Sequence, residues 1–210
     1  MKAKQQAPLE TLDHFLPIGS FEAISSYLHQ YNVNLTITRN RQTVQGDYKY
    51  SSIDKQHRIS INGDLNPYAF LITLLHEIAH LLCYQQYHNR VSPHGKEWKQ
   101  IYASLLSTFI QFNLFPNEIK IVLEQSLQNP AASSCGEPEL IKVLRKYDQQ
   151  QSKYNEHVEN LLEGTLFATP DGRIFKRGKK MRKRIKCTLL KNGQMYLFSP
   201  VYQVQLVDSL

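Results

Sequence analysis

The residues with the most chemistry to offer are His76-Glu77-Ile78-Ala79-His80. Two imidazoles four positions apart on a helix differ by about 40° around its axis, so they project from one face and can share an ion. Glu77 comes directly after His76, close enough to address a water on that ion without being a ligand. Imidazole nitrogen suits zinc, which lowers the pKa of a bound water to about 7. Glu77 would then take the proton of the attacking water and pass it to a leaving amine, as in peptide-bond hydrolysis. The bland alternative is a pair of core histidines bonded to backbone and a carboxylate in an ion pair, since polar groups in an apolar helix need partners.

A catalytic zinc usually has three protein ligands and a water. Six residues after His80 stands Gln86, which is no ligand of the required kind. His88 lies eight residues on, near the expected helix end and pointing away. His94 lies fourteen on, after a loop and directly before the next helix, and Gly95 beside it allows close backbone approach. Glu97 and Glu118 are carboxylate alternatives, as in a His-His-Glu site. Tyr84, Tyr87, Arg90 and Lys96 are candidates for polarising a scissile carbonyl. Cys83, three residues past His80, reads as core packing. Cys135 is a thiol able to cap the metal's fourth position.

The elements around these residues follow from periodicity. From Tyr68 to Tyr84 the chain is apolar almost all round, the mark of a helix buried on every side, and Pro67 suits its first turn. Before it, Ser20 is a plausible N-cap for a helix carrying Phe21, Ile24, Tyr27, Leu28 and Tyr31. Val33, Leu35 and Ile37 alternate as a strand does. Thr43–Tyr50 and His57–Ile61 read as two more strands. After it, residues 89–95 form a loop, Glu97–Phe112 a helix with an i, i+3, i+4, i+7 stripe, and Asn117–Leu127 another. Asn129–Glu137 reads as a linker, with a short helix around Leu140, Val143, Leu144 and Tyr147. Beyond it two hairpin signals, Pro170-Asp171-Gly172 and Asn192-Gly193, and a last alternating stretch from Val201 suggest five short strands in a small barrel or curled sheet. The expected organisation is an α+β domain over residues 1–128, a linker with a short helix over 129–153, and a β module over 154–210.

Composition narrows the class. With 41% hydrophobic residues in 210, a packed core is within reach and a wholly disordered chain is excluded. No apolar run reaches the ~18–20 residues of a membrane helix, so no membrane partner is expected. Residues 1–10 lack the apolar region of a secretory signal, and three scattered cysteines argue for a reducing compartment, hence a cytoplasmic location. The net charge of +7 is concentrated. Residues 171–191 hold ten of the 25 Lys and Arg against one acid, Asp171, on an otherwise near-neutral chain. Lys176, Arg177, Lys179, Lys180, Arg182, Lys183, Arg184 and Lys186 are therefore the candidate nucleic-acid contacts, placed between the two hairpins, with Phe175, Tyr196, Phe198 and Tyr202 as possible stacking faces.

His76-Glu77-Ile78-Ala79-His80-Leu81 followed by Ser92-Pro93-His94-Gly95-Lys96-Glu97-Trp98 resembles the SprT-like family of zinc metallopeptidases, which includes the Spartan proteases. That family pairs an HExxH helix with a third His in a His-Gly-x-x-Trp/Phe segment opening the next helix. The resemblance spans roughly residues 15–125. It implies a zincin-like core with a short antiparallel sheet, one catalytic zinc on His76, His80 and His94, Glu77 as catalytic acid/base, and protein substrates bound or crosslinked to DNA. Pro93 stands where many members have Gly. Many bacterial members end in a four-cysteine zinc ribbon, whereas this chain has only Cys187 in its last 60 residues, so a second, structural zinc is not expected. The competing class is a nucleic-acid-binding or transcription-associated protein with a structural or vestigial zinc site.

Overall fold

The computed structural model describes residues 9–41, 44–132, 137–148 and 153–207. The chain divides into two compact units, residues 1–148 and 149–210.

The first unit places a three-stranded sheet against a bundle of helices. Its elements are a 3₁₀ helix Leu9–Phe15, α1 Phe21–Gln30, β1 Val33–Thr38, β2 Gly46–Ser51, β3 Gln56–Asn62, α2 Pro67–Tyr87, α3 Lys96–Gln111, α4 Asn117–Ser126 and α5 Pro138–Arg145. Ser20 does precede α1, but its hydroxyl donates back to the Pro17 carbonyl (2.7 Å) rather than capping the helix. The expected start of β2 at Thr43 lies outside the described residues.

The sheet order is β1-β3-β2, and here the antiparallel expectation is corrected. β2 and β3 form an antiparallel hairpin, while β1 pairs parallel with β3, Leu35 against Ile59 and Ile37 against Ile61. The most buried strand takes the centre. His57, Ile59 and Ile61 of β3 are all buried at alternate positions, whereas β2 has no buried residue and forms an edge.

α2 runs through the middle of this unit and is buried continuously from Ala69 to Ala79. Its first turn is fixed from both sides. Asn66 Oδ1 accepts the Ala69 amide (3.0 Å), Pro67 fills the first helical position, and Asn66 Nδ2 donates to the Leu144 carbonyl (2.9 Å) and Asp148 (2.8 Å). That bond ties α5 to the start of α2, and Leu140 and Leu144 join the same core. The short helix foreseen in the linker is thus packed into the first unit. α2 also corrects the membrane argument: by length and composition it is apolar enough to span a bilayer, but 72% of that window is buried by protein. α3 packs beside it through Trp98, Tyr102, Leu105, Leu106 and Phe109, the stripe its periodicity predicts.

The second unit is a six-stranded sheet in the order β4-β9-β5-β6-β7-β8: Glu156–His157, Gln203–Leu206, Leu166–Ala168, Ile174–Met181, Arg184–Leu189 and Met195–Phe198. Phe167, Phe175 and Phe198 centre its core with Val158, Ile185, Cys187 and Val204. Both predicted turns are present, with Gly172 and Gly193 at positive φ. The two-residue β4 brings the strands to six. The basic segment is not a connection between hairpins. It is a hairpin itself, with β6 and β7 running through it and turning at Arg182-Lys183.

Candidate metal centre

His76 and His80 lie one turn apart on α2, and His94 reaches them from the loop that leads into α3. The Nε2 atoms form a triangle: 3.3 Å from His76 to His80, 3.2 Å from His76 to His94 and 3.0 Å from His80 to His94. Among the described residues this is a group able to hold a metal ion. Its donor set fits one. Burial, reinforced by the neighbouring imidazoles, brings His76 down to about 3 and His80 to about 4; burial and Lys99 also lower His94. All three rings are neutral near pH 7, so their nitrogens have lone pairs to give to a cation.

The loop carries His94 inward through two local features. His94 adopts a left-handed conformation (φ 57°), which turns the chain at the mouth of α3. Gly95 has an extended backbone that any residue could take, but a Cβ there would lie 2.9 Å from the Ser92 carbonyl oxygen, to which the Gly95 amide donates. Trp98, one turn further on, is fully buried beneath the triad. Its ring centroid lies 4.7, 5.1 and 4.6 Å from those of His76, His80 and His94. Tyr102 stacks on the far end of that platform and meets His76 edge-on.

Glu77 is also buried, on the side of α2 that faces β2. Burial, helped by Asp47 and opposed by Arg41, raises its carboxyl to about 8. A carboxyl in that range can both take and release a proton near neutral pH. Arg41 is held by Asn62 Oδ1 (2.8 Å) and Ser60 Oγ (3.0 Å), so its charge is fixed in place.

The other sequence candidates lie elsewhere. His88 ends α2 and sits against Tyr84. Glu118 binds Lys146 (2.6 Å) and Tyr147 (2.8 Å) between α4 and α5, and Glu97 is not part of the triad group. Arg90 and Lys96 are exposed, Tyr87 lines a groove between α1 and α3, and Tyr84 stacks on Tyr50. Cys83 is buried, as packing requires, and Cys135 lies outside the described residues. The residue that sequence reasoning missed is Tyr48. Its ring lies parallel to His80 at 6.4 Å, and its hydroxyl bonds Nδ1 of the buried His57 (2.9 Å), whose Nε2 meets Gln85 (2.8 Å). Its place between Gly46 and Tyr50, alternate residues on one strand face, was the available signal.

Of the nucleic-acid candidates, Lys176, Lys179, Lys180, Arg182, Lys183 and Arg184 are exposed, while Arg177 and Lys186 are half-buried. The stacking expectation is corrected for two residues. Phe175 and Phe198 are buried in the module's core, because their strand positions face inward.

Residues 20–121 match the SprT-like family. Among curated proteins, the chain is 54% identical over 41 residues to Protein SprT of Vibrio parahaemolyticus serotype O3:K6, covering 19% of this chain and 24% of that protein. It is 32% identical over 108 residues to Protein SprT of Pectobacterium carotovorum subsp. carotovorum, covering 43% and 60%. The chain thus spans less than two thirds of each relative. No solved structure matches it.

Proposed function

Because residues 20–121 belong to the SprT-like family, we propose that this chain is a zinc-dependent peptidase, with the metal on His76, His80 and His94 and Glu77 as general acid/base. The observation that carries this reading is the convergence of three Nε2 atoms at 3.0–3.3 Å. Tetrahedral zinc with nitrogens at about 2.0–2.1 Å needs its donors about 3.3–3.4 Å apart. When bound, zinc would acidify water and draw charge from a carbonyl oxygen. Glu77 takes the proton of the attacking water and delivers it to the departing amine. Trp98 supports the imidazoles from below. β2, which among the described residues pairs only with β3, offers an extended peptide a free strand edge beside Glu77.

The concentration of charge in the second unit supports a substrate held on nucleic acid, where the basic hairpin localises the chain and the first unit cuts. The buried free thiols Cys83 and Cys187 fit work in a reducing compartment such as the cytoplasm. The test pairs metal analysis of the purified protein with cleavage assays on a DNA-bound protein and on the same protein free. Near-stoichiometric zinc is expected, with cleavage lost on chelation, restored by zinc and stimulated by DNA. Absence of zinc, or cleavage that survives chelation, defeats the peptidase reading.

A further inference from the structure

We infer that the β6–β7 hairpin is a two-stranded ribbon that enters the major groove of duplex DNA. This rests on the nucleic-acid part of the reading above and adds to it the form of the ligand and the mode of contact.

The ribbon follows from where the neighbouring strands stop. β5 pairs with β6 only as far as Lys176, and the contacts of Gly164 and Thr165 extend this to Arg177. β8 pairs with β7 only from Ile185 onward. Beyond the pair Lys180–Ile185, Met181 and Arg184 therefore pair with each other and with no other strand among the described residues, and Arg182 and Lys183 turn between them. At about 3.3 Å per residue, the stretch from Lys180 to the turn at Arg182 reaches about 7 Å, with the side chains extending beyond it. The major groove is about 12 Å wide and about 8.5 Å deep and admits a two-stranded ribbon.

The charges are arranged for a groove. Lys179, Lys180, Arg182, Lys183 and Arg184 are all exposed, and among the described residues none is in an ion pair. A bulge places Gly178 and Lys179 opposite Lys186, between the pairs Arg177–Cys187 and Lys180–Ile185. A Cβ at Gly178 would lie 2.7 Å from the Lys186 carbonyl oxygen, so the bulge needs glycine. The extra residue resets the side-chain alternation. Lys180 then shares a face with Ile185, while Arg184 and Met181 take the opposite face, and Arg182 and Lys183 occupy the turn. The ribbon is positive on both faces and at its end, matching phosphates on both walls of a groove. Met181, 54% exposed between these charges, gives the tip an apolar contact of the kind a thymine methyl accepts.

Two other ligands fit less well. Single strands stack on exposed aromatic platforms, and Phe175 and Phe198 are buried while Arg173 lies over Tyr196. The major groove of A-form RNA is too deep and narrow for side chains to read.

The experiment uses full-length protein carrying Glu77→Gln, so that binding is scored whether or not the chain is a peptidase. Affinity is measured across a salt series for a DNA duplex, its single strand, an RNA duplex of the same sequence, and a DNA duplex whose glucosylated hydroxymethylcytosines fill the major groove. Two variants lose equal charge: Arg182→Gln/Lys183→Gln/Arg184→Gln at the tip, and a sheet variant with Lys176→Gln and Lys186→Gln on the strands and Lys191→Gln in the turn between β7 and β8. Plain duplex DNA should bind best, and glucosylation should cost at least about tenfold. The tip variant should weaken binding and flatten the salt slope by about 0.9 per lost contact, more than the sheet variant does. Equal losses in the two variants, indifference to glucosylation, or single strands or duplex RNA binding as tightly would overturn the inference. Failure here leaves the zinc and cleavage results standing, and the converse also holds.

Discussion

A Cβ built on Gly46 would lie 2.6 Å from Oε1 of Glu77, and 2.7 Å from Cγ2 of Thr73. The edge strand therefore touches the proposed general base through bare backbone. From that contact β2 runs alongside α2 in step: Gly46 meets Glu77, Tyr48 lies over His80, and Tyr50 stacks on Tyr84 at 4.5 Å. The strand period of two residues and the helical spacing along α2 run in step over this stretch, so one face of one strand lines one side of the site.

Gly46→Ala should displace the Glu77 carboxyl while leaving the three histidines in place. Misplacing a reacting group by about 1 Å can cost about 10²-fold in rate. The expected result is a fall in turnover of that order with zinc content unchanged. Equal turnover in the two proteins would mean that the close approach has no catalytic consequence.

Glu77→Gln keeps the shape of the side chain and removes its ability to accept a proton. Zinc and fold should be retained, and proteolysis should fall by roughly 10²–10⁴-fold. Unchanged cleavage alongside bound zinc would exclude Glu77 as the base.

His94→Ala removes one corner of the Nε2 triangle, whereas His88→Ala removes a ring that lies against Tyr84 and outside that triangle. Metal analysis after dialysis should show a sharp loss of zinc in the first variant and none in the second. Similar occupancy in both would contradict the ligand assignment.

His57 is buried, and burial lowers its pKa below the ordinary 6.5. The unfolded chain therefore holds more of this proton than the folded one, and stability present above about pH 6.5 is lost as pH falls toward the lowered folded value. The groups facing the ring are Tyr48, Tyr50, Tyr84 and Gln85. Denaturant midpoints should decline more between about pH 7 and about pH 5 in the wild type than in His57→Gln. Parallel declines would show that His57 titrates alike in both states.

How much of this was legible in the sequence depends on the range of the interaction. His76 and His80 could be paired from their spacing alone, because helical periodicity is a property of the backbone. Pro67 at the start of α2 and the stripe on α3 were readable for the same local reason. His94 was not fixed by spacing, since a loop of that length closes in many ways, and it was chosen with the help of the motif around Trp98. Nothing in the neighbourhood of residue 46 marks it as the partner of Glu77. That contact exists because β2 turns back on β3 at Lys55 (φ 53°), while β3 rather than β2 takes the centre of the sheet beside β1. Strand order and parallel pairing join residues far apart in sequence, and short local patterns carry no record of them. The charge of residues 176–186 was countable at once, but its form was hidden. Lysine and glycine have low strand propensity, and the cross-strand pairing of Lys176, Arg177 and Lys180 with Thr188, Cys187 and Ile185, the last two facing the core, holds that run extended.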